Sequence, residues 1–132
     1  MDYLELVKKA YEGMENAYVP YSKFKVGAAV LTKSGKVYTG CNIENASYGA
    51  TNCAERTAIF KAVSEGEKEI EAIAIVSATE DYTFPCGICR QVIREFGKGC
   101  KVIIAKGLEY RVFDLNEILP YDFGPEDLLE DK

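Results

Sequence analysis

Apolar residues open the chain at helical spacing. Leu4, Val7, Ala10, Tyr11, Met14 and Ala17 share one face of a helix that stops before Pro20. The period then shortens. Val26 to Thr32 and Lys36 to Ile43 read as two strands joined by Lys33-Ser34-Gly35, a hairpin signal. Cys53 to Ser64 reads as a helix ended near Gly66, and Glu71 to Ala78 as a buried strand built on Ala-Ile-Ala-Ile-Val. Gly87 to Phe96 is a further helix ended by Gly97. Lys101 to Ala105 and Tyr110 to Leu115 are strands across a Lys106-Gly107 turn, and Asn116 to Leu119 and Pro125 to Leu129 are short terminal helices. The order αββαβαββα contains two strand–helix–strand crossovers. It predicts an α/β fold, a five-stranded mixed sheet with helices on both faces, which is a three-layer α-β-α sandwich.

No linker-like, repetitive or low-complexity stretch interrupts the 132 residues, so residues 1–132 are expected to form a single domain with a real core. The net charge is −5 and no Lys/Arg cluster occurs, which argues against nucleic acid as a partner. Apolar runs such as Val26 to Leu31 and Ile73 to Val76 are too short for a membrane span. Met1-Asp2-Tyr3-Leu4-Glu5 is acidic and has no apolar signal region. Five cysteines without disulfide-like spacing suit a reducing cytoplasm.

The spacing of three of those cysteines carries the chemistry. Cys53-Ala54-Glu55 and Pro85-Cys86-Gly87-Ile88-Cys89 supply three thiols and a carboxylate, and both motifs fall at helix starts. Oriented backbone N–H groups there favour the thiolate that zinc requires. Three protein ligands leave a tetrahedral zinc shell open for water, the mark of a catalytic site. A closed structural site would need Cys41 or Cys100, since the chain has no histidine, and neither has zinc-ribbon spacing. One zinc per chain, with Glu55 moving protons, is therefore expected. Cys53 must lie at the helix start for both it and Glu55 to reach one metal. Arg56, three residues on, would lie over the sulfurs and offset their negative charge.

Other readings compete. Asn52-x-x-Glu55 also fits a capping box, in which Glu55 would only satisfy a backbone N–H. Cys86-Gly87-Ile88-Cys89 could be a thioredoxin-like redox pair, though that leaves Cys53 and Glu55 unexplained. Cys41 and Cys100 read as buried small residues. Phe24 could simply anchor a loop. Asn42 to Gly49 gathers two amides, a carboxylate, a hydroxyl and a phenol ahead of the metal helix; turn formation accounts for Asn45 and Ser47 but not for Glu44. The acidic tail from Glu126 to Lys132 reads as a solvated terminus.

Taken together, Cys53-Ala54-Glu55-Arg56-Thr57-Ala58, Pro85-Cys86-Gly87-Ile88-Cys89-Arg90-Gln91 and Asn42-Ile43-Glu44-Asn45-Ala46-Ser47-Tyr48 resemble the small, homotetrameric, three-cysteine cytidine deaminases. The resemblance runs from Tyr18-Val19-Pro20-Tyr21-Ser22 to the Leu119-Pro120 segment. It implies the cytidine deaminase-like fold, zinc on Cys53, Cys86 and Cys89, and Glu55 as proton shuttle. It further implies Asn42 and Glu44 on the ribose hydroxyls, Phe24 against the pyrimidine ring and the Ala54 backbone at the base edge. Ala46 and Tyr48 would contact a nucleoside bound mainly by another subunit, and Phe123 would close a neighbour's site. The Pro120-Tyr121-Asp122-Phe123-Gly124-Pro125 segment departs from the family's small-residue pattern, and Phe84 stands where a small polar residue is common. The implied reaction is hydrolytic deamination of cytidine and 2′-deoxycytidine in pyrimidine salvage, with no organic cofactor. A deaminase acting on a cytosine-containing antibiotic would share the zinc motifs but not the Asn42 to Tyr48 loop. A nucleic-acid-editing deaminase would need a basic channel. A non-enzymatic zinc module would need a fourth ligand and no Glu55.

Overall fold

The computed structural model describes residues 1–129. Helix α1 (Tyr3–Met14) starts where the Asp2 side chain accepts the Leu4 N–H at 3.0 Å, a standard N-cap. It ends earlier than the apolar spacing predicts. Glu15, Asn16 and Ala17 donate to the carbonyls three residues back, so the chain tightens into turns before Pro20.

Five strands follow the expected order: β1 (Val26–Thr32), β2 (Val37–Cys41), β3 (Ile70–Ser77), β4 (Lys101–Lys106) and β5 (Glu109–Asp114). They form one sheet in the order β2-β1-β3-β4-β5, parallel only between β3 and β4. Helices α2 (Ala54–Ser64) and α3 (Gly87–Phe96) are the two crossovers. Alternate strand residues point to opposite faces. Ala29, Leu31, Ala74, Val76 and Ile103 meet Leu6, Val7 and Ala10 of α1. Val26, Ala28, Val30, Ile73, Ile75 and Ile104 meet Ala58 and Ile59 of α2 and Ile93 of α3. The three-layer sandwich predicted from the sequence is the one observed, and β1 and β3 are apolar on both faces because both faces are covered.

Two glycines let helices settle directly on the sheet. A Cβ at Gly27 would lie 2.2 Å from the Ala10 carbonyl oxygen, and one at Gly40 would lie 2.5 Å from the Ala58 nitrogen. The second contact seats α2, and therefore its N-terminus, against β2. Strand β2 ends at Cys41, short of the expected Ile43: the Asn42 N–H still donates to the Val26 carbonyl at 3.3 Å, but the Val26 N–H goes to the Asn42 side-chain Oδ1 at 3.0 Å, so the reciprocal backbone bond is lost. Ile43 keeps only isolated bridges to Tyr18 and Asn52.

At the other end, Leu115 opens helix α4 (Leu115–Ile118), where the Glu117 side chain accepts the Asp114 N–H at 2.8 Å. Helix α5 spans Glu126–Leu129. Glu126 is no solvated tail residue: it accepts from Arg94 and Lys98. The rest of the expected tail, residues 130–132, lies outside the described residues. Among the described residues no helix is long and apolar enough to cross a membrane.

Candidate metal centre and active site

Cys53 is the N-cap of α2 and Cys86 the N-cap of α3, with Cys89 on the first turn of α3. Both helices lie on the same face of the sheet, and their N-termini converge. The three sulfurs lie within 4.8 Å of one another, with Cys53 and Cys86 Sγ 3.9 Å apart. Ligands at the zinc–sulfur distance in tetrahedral geometry stand about 3.8 Å apart, so the spacing fits zinc. Cys89 is buried, Cys53 half-buried and Cys86 exposed, which leaves the cluster open on one side. Cys41 and Cys100 are buried elsewhere, as expected for packing residues; burial pushes the Cys100 thiol up to about 12.

The surroundings prepare the sulfurs for a cation. The Cys89 N–H donates to Cys86 Sγ at 3.4 Å, and Arg56 Nη2 donates to Cys53 Sγ at 3.3 Å. The hydrogen bond from Cys89, helped by Arg56, holds the Cys53 thiol down to about 5. Cys89 moves the other way, raised by that same bond to Cys53 and by burial. Within the cluster itself one thiolate opposes the next, and a divalent ion supplies the positive charge that three thiolates need.

Glu55 is only 4% exposed, and its Oε1 has no hydrogen-bond partner. Burial, reinforced by the Cys53 thiolate, pushes its carboxyl up to about 7. The capping-box alternative fails on register. Helix α2 starts one residue later than that motif requires, with Cys53 as N-cap, and the Asn52 amide donates to Thr57 Oγ1 at 3.1 Å. A buried carboxylate oxygen without a hydrogen-bond partner thus lies beside three sulfurs whose spacing fits zinc.

Phe24, Asn42 and Glu44 are drawn into one hydrogen-bonded unit. Asn42 Nδ2 donates to the Phe24 carbonyl at 2.8 Å. Glu44 Oε1 accepts the N–H groups of Tyr21 and Ser22 at 3.0 and 3.1 Å, and its Oε2 accepts the Ser22 hydroxyl. Ser22 Oγ in turn accepts the Phe24 N–H at 3.0 Å. The Ser22 hydroxyl is the main reason the Glu44 carboxyl stays below its usual range. Tyr21, Ser22, Glu44, Tyr48 and Thr51 line a cavity of about 360 Å³. The ring of Tyr48 meets Tyr21 edge-on at 6.1 Å yet stays 76% exposed, and Ala46 is exposed in the same loop. Ala54 is fully buried at the first position of α2. Phe123 is not brought to this cavity. It lines a separate groove of about 250 Å³ with Gln91 and Pro125. Ser22 was missed in the sequence, although a hydroxyl two residues before Phe24 was in plain view.

A family model for the cytidine and deoxycytidylate deaminase zinc-binding region matches residues 2–106, which include all three cysteines and Glu55. A cytidine deaminase from Sporosarcina psychrophila is 48% identical over 130 residues, covering 97% of this chain and 96% of its own. The chain belongs to the cytidine deaminase family. A second member, from Halalkalibacterium halodurans, is 49% identical over 97% of this chain and 98% of its own. The crystal structure of cytidine deaminase from Burkholderia pseudomallei superposes with a TM-score of 0.88 at 47% identity, covering 93% of this chain and 100% of that one. That from Mycobacterium tuberculosis gives 0.82 at 41% identity, over 94% and 98% of the two chains. As a cytidine deaminase family member the chain carries the family's zinc-binding region, and its Cys53, Cys86 and Cys89 form the group suited to one zinc ion. The five-stranded mixed sheet with its helices is the family fold.

Proposed function

We propose that the protein is a zinc-dependent hydrolase that deaminates cytidine and 2′-deoxycytidine to uridine and 2′-deoxyuridine, releasing ammonia in pyrimidine salvage. The observation that carries this reading is Glu55 Oε1, buried and unpartnered beside the three-sulfur cluster. Cys53, Cys86 and Cys89 would hold the zinc ion, whose chemistry there would be to lower the pKa of water from 15.7 towards about 7 and so supply a nucleophile near neutrality.

Glu55 takes a proton from the attacking water and delivers it to ring N3, which makes C4 electrophilic. The hydroxide left from that water bonds to C4, and Glu55 then takes the proton of the new C4 hydroxyl and passes it to the amino group, so that the C4–N bond breaks, ammonia departs and a C4 carbonyl remains. A carboxyl raised to about 7 suits a group that must act as base and then as acid. Arg56 holds the Cys53 thiolate in place. Phe24 packs on the pyrimidine, the Ala54 backbone meets the base edge, and Asn42 and Glu44 hold the ribose hydroxyls. A carboxylate accepts from a sugar hydroxyl but repels a nearby phosphate, which favours free nucleosides.

The reading extends to assembly. One domain per chain forms a homotetramer in which Ala46, Tyr48 and Phe123 contact nucleoside in a neighbour's site. The exposed rings of Tyr48 and Phe123, at 76% and 56%, support this, since aromatic residues are enriched at interfaces. Five free cysteines suit a cytoplasmic location. Loss of cytidine absorbance on mixing with the zinc-loaded protein, abolished by a chelator, tests the activity; no absorbance change would overturn it.

A further inference from the structure

Helix α3 begins with the metal cysteines, and its polar side grips the C-terminal segment. Arg90 donates to the Pro85 carbonyl at 2.8 Å and to the Ile118 carbonyl at 2.7 Å. Gln91 Nε2 donates to the Phe123 carbonyl at 2.8 Å. Arg94 is only 6% exposed and binds both flanks of Phe123. Its Nε donates to Asp122, and its Nη2 donates to both oxygens of Glu126 at 2.9 and 3.0 Å. Gly124 lies flat on the guanidinium: a Cβ there would come within 2.6 Å of Cζ and Nη2.

Three consecutive residues, Asp122, Phe123 and Gly124, are thus fixed by one helix, while the ring between them remains 56% exposed. Burying a guanidinium costs desolvation that only well-formed ion pairs offset. Leaving a phenyl ring in water forgoes further stabilisation. A backbone held this firmly around a bare ring presents that ring to something outside the chain.

We infer that Arg94 is a positioning residue that sets Phe123 at the angle needed to close a neighbouring subunit's nucleoside site. This rests on the proposed role of Phe123. The planar guanidinium matters, because it serves two carboxylates at once and offers a flat face to Gly124, which an ammonium cannot.

The test is steady-state cytidine kinetics on zinc-loaded wild type, Phe123→Ala, Arg94→Met, Arg94→Lys and the Phe123→Ala/Arg94→Met double variant. Phe123→Ala and Arg94→Met should each raise KM about tenfold with kcat changed less than about threefold. Arg94→Lys should fall between, and the double variant should be no worse than Phe123→Ala, because both changes remove one function. In mixed assemblies, Arg94→Met chains supply a live Glu55 and Glu55→Gln chains an intact arm, so a fraction of the active sites should show the wild-type KM in place of the raised one. If Arg94→Met does not assemble, Gly124→Ala crowds the same guanidinium and should raise KM alike. A raised KM in Phe123→Ala, with Arg94→Met and Gly124→Ala shifting only the melting temperature, overturns the inference alone. An unchanged KM in Phe123→Ala overturns the reading of Phe123 and the inference with it.

Discussion

Arg56 Nη2 donates to Cys53 Sγ across 3.3 Å, three residues and one helical turn from the sulfur it serves. The guanidinium orients that thiolate and offsets its charge, so removing it should weaken the metal site without removing a ligand. Arg56→Gln should lose zinc to a competing chelator about 10–100-fold more readily than wild type. Zinc retention unchanged in that competition would leave Arg56 a packing residue.

Cys86 is the exposed member of the sulfur cluster, so its loss disturbs the core least. Cys86→Ala should retain the far-ultraviolet circular dichroism of the fold while elemental analysis shows most of the zinc gone and turnover lost with it. Full zinc and full activity in this variant would contradict the ligand set.

Glu44 accepts three hydrogen bonds from Tyr21 and Ser22. Glu44→Ala should raise KM for cytidine at least about tenfold, the effect of losing a charge-assisted bond to a ribose hydroxyl. It should also lower the melting temperature, because two backbone N–H groups lose their acceptor. Free cytosine should be a poor substrate for the wild type. Equal use of cytosine and cytidine would contradict a ribose role.

The Glu126 carboxyl is held down to about 2, chiefly by Lys98, with the helix backbone and Arg94 contributing. A carboxyl depressed in the folded state contributes stability above its ordinary value of about 4.3, and that contribution disappears as pH falls towards 2. Glu126→Gln should therefore melt lower than wild type at pH 6, with the gap narrowing as pH drops from 4.5 to about 2. Comparing the two proteins at each pH removes effects common to both. A gap that widens in acid would contradict the pairing.

The central layers of the fold were legible because β1 and β3 are buried on both faces, and their uninterrupted apolar runs say so. The metal site was legible because its ligands fall in two short local motifs. Glu55 was harder. A carboxylate three residues after Asn52 fits a capping box as well as a proton shuttle, and only the one-residue shift of the α2 start decides between them. Ser22 and Glu44 stand 22 residues apart, with no local pattern to pair them. Glu126 read as part of a solvated acidic tail, because its partners Arg94 and Lys98 lie about 30 residues away in sequence with no local pattern to pair them. The end of β2 was misplaced because the Asn42 side chain takes over a backbone role, which no apolar periodicity encodes.

The central claim is that Glu55, not merely the metal, performs the proton transfers. Its most direct test is the Glu55→Gln variant, loaded with zinc and assayed with cytidine. The amide keeps the shape of the side chain but cannot shuttle a proton. Zinc content and melting temperature near those of wild type, with turnover reduced at least about 1,000-fold, are expected for a shuttle used twice in one reaction. A Glu55→Gln protein that binds zinc and still deaminates cytidine within about tenfold of the wild-type rate would contradict the account, because loss of one such acid–base group costs about 100-fold or more.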